Sequence, residues 1–130
     1  MNHRRKFMAV LSSLGLATLL PFNVHSKKPK DSMIVHQVFF WLQEPEKDLK
    51  AVMEGCKKIA SVSSVKDYMV GVPAKTEKRD VIDHSYHIAL TVHFEDLKAH
   101  DEYQEHPDHL KFIADHSQKW AKVQVYDFEV

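Results

Sequence analysis

Between Met33 and Val130 the chain alternates short runs of β-branched and aromatic residues with stretches of helical periodicity. Met33 to Leu42 has strand length and composition, with Ile34, His36, Val38, Phe40 and Leu42 on one face and Val35, Gln37, Phe39 and Trp41 on the other. Both faces are mostly apolar, which predicts either a strand with helices on one side and another subunit on the other, or a central strand of a buried sheet. Glu44-Pro45-Glu46 then opens a helix, because acids and proline are favoured in a first turn. Leu49, Val52, Met53, Cys56 and Ile59 form its single apolar stripe, and lysines and Glu54 occupy the rest. Ser61 to Ser64 closes that helix, Val65 to Val72 reads as a second strand, and Pro73 to Asp83 is a polar connection expected to be exposed.

Ser85 to Phe94 is the most regular strand pattern. Tyr86, Ile88, Leu90, Val92 and Phe94 are expected on one face, and His87, Ala89, Thr91 and His93 on the other. Glu95-Asp96 can cap a following helix that carries Leu97 and Tyr103. Pro107 denies its predecessor the helical region, so this helix should stop at His106, and proline then suits the first turn of a second helix running to about Lys119. Leu110, Ile113, Ser117 and Trp120 are expected on one side of it, with Phe112 and His116 offset. Val123 to Val130 is a terminal strand. The order β-α-β, β, broken α, β predicts an α+β, ferredoxin-like domain with a four-stranded antiparallel sheet over residues 33–130.

Residues 1–26 carry a different pattern. Arg4, Arg5 and Lys6 precede an apolar run from Phe7 to Leu20, and Val24-His25-Ser26 offers a cut after Ser26. The run is short for a permanent span, which needs about 20 residues. The expectation is an export signal over 1–26, a short linker over 27–32, and a mature domain without a membrane anchor, periplasmic or extracellular. His3-Arg4-Arg5-Lys6-Phe7-Met8 also resembles a twin-arginine signal.

Charge removes one class of function. The 18 basic and 18 acidic residues balance overall, and without the leader's three cations the body is mildly acidic. Beyond Lys27-Lys28-Pro29-Lys30 it has no positive cluster of the kind a nucleic-acid surface needs. The single cysteine, Cys56, excludes an intramolecular disulfide and a cysteine-rich metal site, and its place on an apolar stripe predicts an inert buried thiol.

The helix-break-helix corner concentrates the chemistry. A phenol and two imidazoles, Tyr103, His106 and His109, lie within seven residues of one another and can line a pocket. As metal ligands His106 and His109 are poorly placed: the proline separates their helical registers and no acid completes a zinc pattern. No metal and no cofactor are expected, and no glycine-rich phosphate loop or Ser-His-Asp order is present.

From Met33 to Glu129 the chain resembles the stress-responsive dimeric α/β-barrel family, often called the Dabb domain. The resemblance rests on Ile34-Val35-His36-Gln37-Val38-Phe39, on Tyr68-Met69-Val70-Gly71, and on Phe94-Glu95-Asp96-Leu97 leading to Tyr103-Gln104-Glu105-His106-Pro107-Asp108-His109, with Val125-Tyr126-Asp127-Phe128 closing the domain. Tyrosine followed by His-Pro-x-His is its most specific part. Ser63-Ser64 departs from the Pro-Gly turn common after the family's first helix.

The resemblance implies a homodimer in which two ferredoxin-like subunits pack sheet against sheet into a dimeric α/β barrel. In the plant polyketide cyclases of this family the catalytic pair matches Tyr103 and His109, with a first-strand histidine matching His36. The implied chemistry is proton abstraction by neutral His109 while Tyr103 donates to a developing oxyanion. His36, His106 and Tyr86 are expected as pocket residues, His106 also securing the corner through a backbone hydrogen bond. Three readings follow: a homodimer binding a small hydrophobic or aromatic ligand, a cyclase-like or other cofactor-independent acid-base enzyme, or a purely structural or interaction protein. Cofactor-independent monooxygenases and haem-binding proteins share the architecture by analogy of fold alone.

Overall fold

The doubly apolar first strand, β1 (Ile34–Leu42), becomes an inner strand of the sheet. A computed structural model describes residues 32–130; the leader expected over 1–26 lies outside the described residues. β3 (Ile88–Phe94) and β4 (Trp120–Glu129) flank β1, both antiparallel to it, and β2 (Asp67–Gly71) pairs antiparallel with β3, giving the order β2-β3-β1-β4. Helix α1 (Pro45–Ile59) joins β1 to β2, while α2 (Leu97–Glu105), α3 (Pro107–His116) and a 3-10 turn (Ser117–Lys119) join β3 to β4. These are two interleaved split βαβ units, the ferredoxin-like α+β fold.

The register decides which side chains meet. His36 stands opposite Val92 and Asp127, Val38 opposite Leu90 and Val125, and Phe40 opposite Ile88 and Val123. Directly opposed residues share a face, so this row faces the helices. There Ile34, Phe40, Leu90 and Phe94 close with Val52 and Cys56 of α1, Tyr103 of α2 and Phe112 of α3 into one core. Burial pushes the Cys56 thiol up to about 12, as expected for an inert core cysteine. On the opposite face Met69, Tyr126 and Phe128 are exposed, beside Phe39 and Trp41.

The structure departs from the sequence pattern in two places that matter. Regular β3 pairing begins at Ile88 rather than Ser85, because His87 turns its side chain back onto the sheet: its N–H donates to the Phe40 carbonyl at 2.8 Å, and its Nδ1 accepts from the Leu42 N–H at 2.8 Å. Strand alternation fails there, and Tyr86 lands against Phe39 (ring centroids 5.0 Å apart) and Trp41 (6.4 Å). In α3 the core residue is Phe112, 5 % exposed, whereas Leu110 is 55 % exposed. The helix is rotated because Phe112 fills the angle between Phe40 and Trp120, with centroids at 6.1 and 5.6 Å. The same helix ends at His116, and β4 starts as early as Trp120.

Gly55 permits this arrangement. A Cβ there would stand 2.9 Å from the Phe112 ring and 2.8 Å from His116 Nε2, so the missing side chain is what lets α1 and α3 approach. Glycine to alanine in a helix interior ordinarily gains about 1 kcal/mol, but overpacking a filled core costs about 1–3 kcal/mol. Gly55→Ala is therefore expected to lower the melting temperature, by roughly 4–8 °C for each net kcal/mol lost. A higher melting temperature in a calorimetric scan of the variant would contradict the close approach.

Candidate functional site

The corner between α2 and α3 is built as its sequence requires. Asp96 caps α2, its carboxylate accepting from the Ala99 N–H at 2.8 Å. His106 has extended backbone (φ −61°, ψ 137°) ahead of Pro107, which ends α2. It also caps α3: its Nδ1 accepts from the Asp108 N–H at 3.0 Å. This spends the imidazole on the backbone, and His106 is not among the residues lining the pocket. The expectation that it secures the corner agrees with this geometry; its assignment to the ligand pocket does not.

Held by that corner, Tyr103 near the end of α2 and His109 in the first turn of α3 meet edge to face, with ring centroids 4.8 Å apart. Both line a pocket of about 160 Å³ between the helices and the sheet, and His36 forms part of its wall from β1. The remaining lining is largely apolar, with Val38, Leu90, Phe112 and Val125 among it. Tyr86 is separated from this pocket by the thickness of the sheet, a consequence of the break in alternation at His87. Of the five side chains expected at the site, the fold brings together Tyr103, His109 and His36 and excludes His106 and Tyr86.

Electrostatics favour uncharged groups here. Burial holds His109 below the ordinary imidazole range, and the neighbouring His36, His100 and His106 reinforce the shift. Burial likewise raises the Tyr103 phenol well above its usual value. For His36, burial outweighs the opposing hydrogen bond and charge of Asp127 and lowers its pKa. His109 Nδ1 and Trp120 Nε1 are buried without a hydrogen-bond partner among the described residues, and Trp120 belongs to the same pocket wall. Neutral His109 can accept a proton at neutral pH, and Tyr103 retains its proton for donation.

Two further residues belong to this neighbourhood that the sequence reading did not single out. Asp127 of β4 meets His36 Nδ1 at 2.6 Å, because the register sets them directly opposite one another. His100 of α2 lies three positions before Tyr103 and packs edge to face on His36 at 5.4 Å and on Phe94 at 5.4 Å. The spacing to Tyr103 was a readable signal for His100, since residues three apart share a helix face. Asp127 could be found only by knowing how the last strand pairs with the first.

A family model described as the stress responsive A/B barrel domain matches residues 34–130. The chain belongs to this family. Among solved structures it is similar to a Dabb family protein with a ferredoxin-like fold from Mesorhizobium loti, at 26 % identity and a TM-score of 0.61, covering 75 % of this chain and 96 % of that one. A dimeric ferredoxin-like protein of unknown function from Thermobifida fusca shares 20 % identity with a TM-score of 0.62, over 78 % of this chain and 93 % of that one. The hydroxynitrile lyase of Passiflora edulis has the same fold at 16 % identity, TM-score 0.66, over 78 % and 95 % of the two chains. No curated protein matches the sequence. As a Dabb domain, the chain carries the Tyr-x-x-His-Pro-x-His corner as a structural joint in which one histidine caps a helix and the other faces the pocket.

Because His109 resists protonation only when folded, its linkage to stability has a defined sign. Below a pH of about 6.5 the unfolded chain takes up a proton that the folded site refuses, so stability falls as pH drops from there towards the folded value, then levels off. Imidazole NMR titration is expected to place the His109 midpoint below that of a free histidine. His109→Gln should lessen the acid-side fall of the melting-temperature profile, leaving the part due to His36; an unchanged profile would mean that the His109 ring is solvated.

Proposed function

We propose that this protein is an exported homodimer that binds a small apolar or aromatic ligand, bearing at least one polar group, in the pocket between its helices and sheet. The observation that carries this reading is the pairing of Tyr103 and His109 at the wall of an otherwise apolar pocket. An apolar cavity of about 150 Å³ accommodates benzene, so the volume suits a ligand of one ring. The phenol and imidazole in the pocket wall favour a ligand that brings its own hydrogen-bonding atom, since an unmade buried hydrogen bond costs about 1–3 kcal/mol.

The sheet's far face supports the dimer. Met69, Tyr126 and Phe128 are 61 %, 57 % and 47 % exposed in the single chain, a contiguous apolar surface with Phe39 and Trp41 that a second copy would bury. Relatives of the same fold are dimeric, the Thermobifida fusca protein among them. Light scattering is expected to give twice the chain mass for the wild type and a shift towards the monomer for Phe39→Asp; a monomeric wild type would remove the dimer from this proposal. Export rests on the leader pattern of residues 1–26.

A second reading, acid-base catalysis without a cofactor, is favoured by the same pair. His109 would take a proton from carbon or oxygen of the bound ligand, and Tyr103 would hydrogen-bond the oxygen on which charge develops. The Passiflora edulis hydroxynitrile lyase is an enzyme on this fold, which makes aromatic aldehydes and their cyanohydrins reasonable first probes. Binding is measured by calorimetry with single-ring aldehydes and phenols. Saturable binding abolished by Val125→Phe, which fills the pocket from β4, supports the ligand site; binding that survives this change places the ligand elsewhere. If turnover is found, His109→Gln should reduce kcat by roughly 10²–10⁴-fold, while Tyr103→Phe keeps the fold and loses rate rather than affinity.

A further inference from the structure

At the edge of that pocket, and sharing His36 with its wall, three side chains from three elements converge. His36 projects from β1, Asp127 from the directly opposed position of β4, and His100 from the inward face of α2. Each can offer one donor atom such that all three lie within 4.8 Å of one another. We propose that His36, His100 and Asp127 form a binding site for a divalent transition-metal ion of the zinc class.

Four observations converge on that assignment. The donor set is two imidazoles and one carboxylate, which suits borderline ions such as Zn²⁺ or Fe²⁺ rather than the all-oxygen sites of Mg²⁺ and Ca²⁺. His100 Nε2 is buried with no partner among the described residues. Its other ring nitrogen, Nδ1, lies 3.1 Å from the Asp101 carboxylate. That contact fixes the proton on Nδ1 and leaves the Nε2 lone pair free, the arrangement by which an outer carboxylate orients a metal-bound histidine. Finally, access exists: a shallow pocket of about 200 Å³ reaches His100 and Asp127 from the surface, between Leu97 and Phe128.

The geometry requires only small adjustments. Bonds of about 2.0–2.1 Å to three tetrahedrally disposed ligands put the donor atoms roughly 3.3 Å apart. His36 Nδ1 and Asp127 Oδ1, now 2.6 Å apart across a hydrogen bond, would open slightly as the ion takes the place of the Nδ1 proton, which passes to Nε2 so that the imidazole stays neutral. His100 would close in from α2. Three protein ligands leave a coordination position open towards the surface pocket, as in metal centres that hold a water or a substrate atom.

The protein is stripped with a chelator and titrated with Co²⁺, followed by its visible d–d absorption, and Zn²⁺ is then used to displace it. One ion per chain is expected. Asp127→Asn and His100→Ala should each weaken binding by more than about 100-fold, the upper end of what even outer-shell partners cost, whereas His109→Gln and His116→Ala leave it unchanged. Absence of saturable binding, or one-to-one binding untouched by both ligand substitutions, would overturn the site. Should a variant fail to fold, the wild type decides: ring-nitrogen shifts on adding Zn²⁺ confined to His36 and His100 support the proposal, and shifts centred on other histidines refute it.

Discussion

A proline that cannot donate a hydrogen bond, and that keeps its predecessor out of the helical region, organises the informative half of this molecule. Pro107 divides what would be one long helix into α2 and α3. One continuous helix would carry residues 103 and 109 along a single axis, about 9 Å apart at 1.5 Å per residue. The break folds the second helix back, so that the two rings touch. His106 completes the joint from both sides, its N–H bonded to the Tyr103 carbonyl and its Nδ1 receiving the Asp108 N–H. The meeting of the two proton-handling groups at the pocket wall follows from this one interruption.

The second organising element is the inner strand β1, which carries two unrelated tasks on alternate residues. Ile34, Val38 and Phe40 build the helix-side core, and His36 in the same row supplies chemistry. Phe39 and Trp41, one residue out of phase, belong to the outer apolar face. A strand of this kind has no spare side: a register slip by one residue would move His36 to the outer face and Phe39 into the core. Pairing with β3 and β4 on both edges is what prevents it.

Much of this was legible in the sequence, and the exceptions have physical causes. The element order, the fold and the helix break follow from local rules of periodicity, capping and proline geometry, which act over a few residues. The meeting of Tyr103 and His109 was likewise carried by a short motif. What could not be read depended on contacts between distant segments. Tyr86 sits on the wrong face for its alternation because the His87 side chain bonds the backbone of β1, and α3 is rotated towards Phe112 because Gly55 of the distant α1 leaves room for the ring. The pairing of His36 with Asp127 spans 91 positions and exists only once β4 is in register. The convergence of this pair with His100 was hidden for the same reason, whereas His106 and His109, three positions apart, stand out through spacing alone.

Among the described residues the sheet order leaves β4, ten residues long, as an outer strand bonded only to β1 along its length. An unpaired edge of that length is an invitation to any other extended chain. Its middle, Val123 to Tyr126, has the β-branched and aromatic character that promotes such pairing, but Lys122 stands before it, and Asp127 and Glu129 follow. Charges at both ends make uncontrolled strand addition costly without disturbing the central apolar stretch. Asp127 therefore serves the solubility of the sheet's edge at the same time as it faces His36, so the carboxylate that would contribute to a metal centre is also a guard against fibrillar association.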